Sequence, residues 1–362
     1  MNQPSHWLPA SGFQLLIPGL QSPTLITGVG GFIASHLAER LVREGVRVRG
    51  TARQTFGQTF EVSETSKVSF ASKVSFASKV SRGVEVVQAD LLDAGSLRRA
   101  ADGCRAVVHA AAWTGGPELS PELAWRTNVE GTANVLAAAR AAGVERFVYI
   151  SSIAVYGVNR AALIDESMPT PQVGQLYPDS KIAAEAAVLA SGLPWVIVRP
   201  ASTYGPRGTA WTIGPIAQIK AGRLVLLGRD HGLVTPGYID NVVDGLWLTL
   251  THPAAVGEAF NLCDDRAVTY REFYLAYARM LGRASLPTAP AWLALLARTP
   301  PANLLRRLRG RPPIGPWSLH LRRNPSQFSV AKAQRLLGYA PRVDFAEGMR
   351  RTEAWLRAAG WL

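Results

Sequence analysis

Cysteine is nearly absent from this sequence: Cys104 and Cys263 are the only two in 362 residues. Two cysteines cannot make a disulfide framework, and a reducing cytoplasm is the simplest expected compartment. The six histidines and two cysteines follow no metal-ligand spacing, which argues against a zinc module. Long apolar runs are missing too. No stretch of about 18 apolar residues occurs, so no membrane-spanning helix is expected. The first 22 residues are proline-rich and aperiodic, without a basic n-region and an apolar h-region, and read as a loose tail. Lysine supplies only six of the 39 basic residues. Acidic residues vanish between Phe273 and Val343, where 12 basic residues sit, against a net charge of +13 for the whole chain. A basic surface spread for nucleic acid is therefore not expected, and no nucleic-acid motif accompanies the charge.

What is present is globular. Hydrophobic residues make up 48% and charged residues 18%, which excludes global disorder. From Thr24 onward the pattern is β–α–β. Thr24–Thr27 reads as a strand, Phe32–Arg43 as a helix with Ile33, Leu37, Leu41 and Val42 on one side, and Val46–Thr51 as a second strand. The hexamer Ser-Lys-Val-Ser-Phe-Ala then occurs twice, at 66–71 and 72–77, and a third copy begins at Ser78. It is expected to be a surface loop inserted at 54–82, with an interaction segment as the alternative. Further strand-like runs follow at Val84–Ala89, Ala106–His109, Phe147–Ile150 and Val196–Val198, with helical stretches at Glu122–Ala142 and Ser180–Ser191. Repeated β–α units predict an α/β fold, a Rossmann-type doubly wound parallel sheet over residues 23–200. Residues 201–362 are expected to form mainly a smaller, C-terminal substrate-binding region, partly interleaved with that core.

Three groups of residues carry chemistry. Gly28, Gly31 and Ala34 fall between the first strand and first helix. Small residues there allow a tight turn, and the amides around Phe32 and Ile33 can approach a diphosphate at a helix N-terminus. The second strand ends at Arg53 with no acidic residue to bind a ribose diol. Arg53 can pair with a 2′-phosphate, so NADP(H) is favoured while NAD(H) stays open. Asp90, after the third strand, can accept from an adenine amino group, or can be a helix-capping or turn residue. Tyr177 and Lys181, four apart, share one helix face. A nearby ammonium lowers a phenol's pKa, so Tyr177 can move a proton to or from an oxygen that Ser152 orients.

Together with His109–Ala112, Asn128 in Asn-Val-Glu-Gly-Thr and Arg199-Pro200, these motifs resemble the extended short-chain dehydrogenase/reductase family from about Thr24 to Trp361. The resemblance implies catalytic roles for Ser152, Tyr177 and Lys181, with Asn128 supporting a proton relay to the lysine. It also implies cofactor contacts from Gly28, Gly31, Phe32, Ile33, Arg53, Asp90, Leu91, Ala110, Ala111, Ala112, Tyr177, Lys181 and Pro200. Ala34 departs from the commoner third glycine. Ile153 and Ala154 stand where sugar-nucleotide dehydratases place acids, and Ser202 precedes Thr203-Tyr204-Gly205-Pro206 where many sugar-nucleotide enzymes carry asparagine. Tyr238–Gly245, Gly257–Asn261 and Phe328–Ala333 are similar to segments of 3β-hydroxysteroid dehydrogenases, and the stretch near Arg53 is similar to dihydroflavonol reductase-like enzymes.

The implied activity is NAD(P)-dependent interconversion of a secondary alcohol and a ketone on a small, apolar or cyclic substrate. A sugar-nucleotide epimerase using bound NAD and a non-catalytic cofactor-sensing protein are the alternatives. A homodimer is compatible with all three. The apolar, basic stretches Ala289–Ala297 and Asn303–Arg311 leave three readings open: ordinary helices, a substrate lid, or, less favoured, peripheral contact with an anionic membrane.

Overall fold

The computed structural model describes residues 22–53, 83–116, 119–159, 161–227, 232–290 and 325–362. The hexamer repeat and residues 291–324 of the acid-free stretch, which include Asn303–Arg311 and all of Ala289–Ala297 beyond Pro290, lie outside the described residues.

Seven parallel strands form the central sheet: β1 (Thr24–Thr27), β2 (Val48–Ala52), β3 (Val84–Gln88), β4 (Ala106–His109), β5 (Arg146–Ile150), β6 (Trp195–Pro200) and β7 (Glu258–Leu262). Their order across the sheet is β7-β6-β5-β4-β1-β2-β3. This is the doubly wound Rossmann arrangement expected from the alternating pattern. The order reverses between β1 and β4, the place where doubly wound sheets bind ligands in a crevice outside the carboxyl ends of the strands.

Strand alternation sorts side chains into two cores, because successive residues of a strand face opposite sides. Ile26, Val108, Val148 and Val198 pack with Leu37 and Leu41 of α1 (Phe32–Arg43) and with Val242 and Leu246 of a helix at Ile239–Thr251. Leu25, Val107, Phe147 and Ile197 pack on the other face. There they meet Leu97 of α2 (Ala94–Ala101), Val135 of α3 (Pro121–Ala141) and Val188 of α4 (Leu176–Leu189). The sequence places the fourth helix at Ser180–Ser191; it begins four residues earlier, because Asp179 caps the turn that leads in. Its carboxylate accepts from the amides of Val173 at 2.8 Å and Gln175 at 2.9 Å, so Tyr177 lies on the first turn rather than before it.

The seventh strand comes from the C-terminal half, pairing in register with β6 from Glu258↔Val196 to Leu262↔Pro200. Asn241, the second polar residue of Asp240-Asn241-Val242-Val243, ties this half together. Its amide donates to Asp264 at 2.6 Å and to the Val343 carbonyl at 2.8 Å, while its oxygen accepts from the amides of Arg342 and Val343. No described helix is long and apolar enough to cross a membrane.

Candidate active site

The turn after β1 is shaped by steric necessity at Gly28. Its φ is +64°, and a Cβ there would lie 2.9 Å from the Ala111 Cβ and 3.0 Å from the Ala111 Cα. Only glycine lets this turn sit against the chain leaving β4. Gly31 is the N-cap of α1 and offers no side chain to the first-turn amides, and no acidic residue occupies that turn. A helix start with uncapped amides beside a glycine cradle has the donors and the space that a nucleotide diphosphate requires.

The other expected cofactor residues arrive at the same edge of the sheet. Arg53 follows β2 and is exposed. Asp90 follows β3; its Oδ1 accepts from the Leu92 amide at 2.8 Å, a turn-stabilising bond. Leu91 is fixed from α3, where Asn134 donates to its carbonyl at 2.9 Å and Gly131 lies so close that a Cβ would meet the Leu91 Cβ at 2.8 Å. Ala110, Ala111 and Ala112 follow β4. The Thr27 hydroxyl accepts from the amides of Ala110 and Ala111, each at 3.0 Å, and stitches the β1 and β4 exits together. Pro200 closes β6, buried beside β7.

Tyr177 and Lys181 lie on α4, and Ser152 follows β5. The Tyr177 ring keeps partial exposure, yet burial raises its pKa, while a side-chain hydrogen bond from Ser152 acts in the opposite direction. The Tyr177/Lys181 spacing predicts that the lysine lowers the phenol; here burial outweighs that, and the group that opposes burial is Ser152. Lys181 is fully enclosed. Its Nζ donates to the Ile150 carbonyl at 2.8 Å and stands 4.8 Å from the centre of the Tyr149 ring. Burial brings its pKa down to about 7, with Glu185 pulling the other way.

Asn128 makes no direct bond to Lys181. Its hydrogen bonds go to the Trp113 backbone and to the Ser180 hydroxyl, at 2.9 Å. Ser180 in turn donates to the Tyr177 carbonyl at 2.8 Å. The asparagine thus ties the chain after β4 to the α4 turn that carries both Tyr177 and Lys181.

Several residues of this network were not singled out from sequence. Thr132 accepts from His109 at 3.0 Å and donates to the Asn128 carbonyl at 2.6 Å. Trp113, Ser180 and Glu185 are the others. Glu185 alone carries a readable signal, since it falls one helical turn after Lys181. The indole N–H of Trp113 and the hydroxyl of Ser151 are buried without a hydrogen-bond partner among the described residues, two unused donors beside Asn128 and Ser152.

Residues 24–263 match the NAD dependent epimerase/dehydratase family. A 4-hydroxy-2-methyl-3-oxo-4-farnesyl-3,4-dihydroquinoline-1-oxide ketoreductase from Stigmatella aurantiaca is 31% identical over 336 residues, covering 90% of this chain and 94% of the relative. A 3 beta-hydroxysteroid dehydrogenase/Delta 5→4-isomerase from Mycobacterium tuberculosis is 30% identical over 345 residues, covering 88% of this chain and 85% of the relative. Among solved structures, the UDP-glucose 4-epimerase of Thermotoga maritima superposes with a TM-score of 0.71 at 20% identity, covering 93% of this chain and 99% of the other, a likeness of fold. The glycine turn at the sheet's switch point, the Ser152–Tyr177 contact and these matches lead to one conclusion: the chain belongs to the NAD dependent epimerase/dehydratase family, within the extended short-chain dehydrogenases/reductases, and is an NAD(P)-dependent enzyme.

Proposed function

We propose that this alcohol/ketone oxidoreductase acts on a small apolar or cyclic substrate, favours NADP(H), and uses Ser152, Tyr177, Lys181 and Asn128 as its working residues. The observation that carries the reading is the convergence of Ser152 and Tyr177 with a buried Lys181, one turn along the same helix, whose ammonium donates to the Ile150 carbonyl at 2.8 Å. When bound, the nicotinamide cofactor gives or takes the hydride at carbon. Everything else is the work of this chain. Tyr177 delivers or removes the proton at the substrate oxygen. Ser152 donates its one hydroxyl proton to that oxygen, so charge developing there is stabilised. Lys181 supplies positive charge beneath them. Asn128 holds the Trp113 backbone and the Ser180 turn in place and touches no reacting atom. The glycine turn at Gly28 and Gly31, with the amides of Phe32 and Ile33, holds the diphosphate. Arg53 holds a 2′-phosphate, and Ala110–Ala112 with Leu91 and Pro200 line the remaining cofactor surface.

The names of the relatives support reduction of a carbonyl on a hydrophobic ring or chain. Apolar Ile153 and Ala154 beside Ser152 suit such a substrate better than elimination of water. A panel of cyclic ketones, β-keto acids and sugar nucleotides, followed by NADPH oxidation, tests the reading. Turnover of an apolar ketone that falls by about a thousandfold or more in Tyr177→Phe is the expected result. Full turnover in that variant, or purified protein carrying non-exchanging NAD with activity only on a sugar nucleotide, defeats it.

A further inference from the structure

Lys181 is a buried cation whose neighbourhood is almost wholly described. From its own helix it faces Tyr177 and Glu185. From β5 it faces the Ile150 carbonyl and the Tyr149 ring, and from β4 the neutral His109, whose own pKa is lowered by burial and by the Lys181 charge. Among these groups only Glu185 is an anion. Glu185 is 4% exposed and lies one turn along α4, the spacing that puts two side chains on one face.

A lone carboxylate at that depth is costly to bury. Arg199 supplies its partner. From β6 its guanidinium grips Glu185 in a two-point bond, Nε to Oε1 at 3.0 Å and Nη2 to Oε2 at 2.7 Å. Arg199 is 7% exposed. Its remaining Nη1 donates to the Tyr156 hydroxyl at 2.9 Å, which passes its proton toward Asn261 on β7 at 2.7 Å. The glutamate is thus anchored to two sheet strands, β6 and β7, and to the 153–156 turn. Such a pair is costly to bury and adds little net stability over an apolar replacement. A role in holding a particular charge nearby explains why the pair sits one turn from Lys181.

We propose that Glu185, locked by Arg199, is a positioning residue for the reaction: it is the counter-charge that keeps the enclosed Lys181 an ammonium ion at working pH. The proposal rests on the catalytic reading of Lys181 but makes a claim about the lysine alone, so it can be tested without turnover. Burial works against the Lys181 ammonium and Glu185 works for it, so loss of that anion should lower the lysine's pKa.

The test is a pH titration of the protein labelled with 13Cε-lysine and read by NMR, the Lys181 signal being the one missing from Lys181→Met. In Glu185→Gln the midpoint is expected to move down by at least one pH unit, and in Glu185→Asp by less. The pH profile of kcat/KM for ketone reduction should shift in the same direction at its basic limb, with KM for the cofactor little changed. The double variant Glu185→Gln/Arg199→Gln leaves no unpaired guanidinium where the ion pair was, and should move the Lys181 midpoint in the same direction if the single variant does not fold. An unmoved Lys181 midpoint in a folded variant overturns the proposal. If the midpoint moves while Tyr177→Phe stays active, the counter-charge stands and the functional reading fails.

Discussion

Asn128 pairs with the backbone of Trp113 as a neighbouring strand would: its Oδ1 accepts the Trp113 amide at 2.7 Å, and its Nδ2 donates to the Trp113 carbonyl at 2.9 Å. The second hydrogen of the same Nδ2 goes to the Ser180 hydroxyl at 2.9 Å. All three side-chain bonds serve geometry. They fasten the segment after β4 to the first turn of α4, so the floor of the crevice and the Tyr177–Lys181 pair move as one piece.

Replacing Asn128 with Ala removes those bonds and leaves buried backbone groups of Trp113 unpaired. The expected loss is about 2–4 kcal/mol of stability, measured by urea unfolding. Asn128→Asp keeps the acceptor for the Trp113 amide but sets a buried carboxylate oxygen against the Trp113 carbonyl, and should destabilise at least as much as Ala. Because the asparagine makes no direct bond to Lys181, the Lys181 midpoint should stay near its wild-type position in Asn128→Ala, which adds no charge. A large shift there would return Asn128 to a direct relay role.

His109 gives a second prediction, about acid. The Thr27 hydroxyl already accepts two amides, so its own proton goes to His109 Nδ1 at 2.8 Å, and Nε2–H faces Thr132. A second ring proton would have no acceptor left at Thr27. Burial, with the nearby Lys181 charge, accordingly lowers the pKa to about 3. The unfolded value is near 6.5, so the native state prefers the neutral ring. Stability is complete above about 6.5 and is lost as pH falls toward the folded value, by roughly 1.4 kcal/mol for each unit crossed. Unfolding free energies at pH 7.5, 6 and 5 should decline with that slope. His109→Gln, which cannot titrate, should show a shallower decline. An equal slope in the variant would put the acid sensitivity elsewhere.

The α/β alternation was legible because parallel strands buried on both faces read as short apolar runs, and α1 was found at its observed bounds. The start of α4 was not, since Leu176-Tyr177-Pro178 looks like a turn until Asp179 is seen to cap it. The motif glycines and the Tyr177/Lys181 spacing carry their geometry in local sequence. The Asn-Val-Glu-Gly-Thr motif does not. Its Asn128 reaches Trp113, its Gly131 admits Leu91 and its Thr132 meets His109, three partners brought in by the sheet order alone. The same holds for Glu185 and Arg199: the pair is made by β6 lying beside β5 under α4.

Gly28 supplies the sharpest steric test. Alanine there must adopt a positive φ, at about 1–2 kcal/mol, and must also displace Ala111 from a 2.9 Å contact. Gly28→Ala should therefore lower the unfolding free energy and open the β1–β4 crevice. Cofactor affinity, followed by quenching of tryptophan fluorescence on NADPH addition, should fall by at least tenfold. Retained affinity would mean that the diphosphate does not lie on this turn.

The preference between the two cofactors turns on Arg53. It stands at the carboxyl end of β2, exposed, with its carbonyl accepting from Gln88 Nε2 at 3.1 Å. That bond fixes the backbone at the place where an acidic side chain would otherwise select a ribose diol. Its guanidinium meets no anion among the described residues, and a 2′-phosphate would give it a two-point, charge-assisted partner. Arg53→Ala should weaken NADPH binding by roughly tenfold and leave NADH binding nearly unchanged. The NADPH effect should shrink as salt is raised from about 0.05 M to 0.5 M, because an exposed charge pair is screened over that range. Lysine at 53 keeps the charge but not the fork and should recover only part of the affinity. Equal weakening of both cofactors in Arg53→Ala would show that the residue supports the strand end rather than the phosphate, and would remove the case for NADP(H).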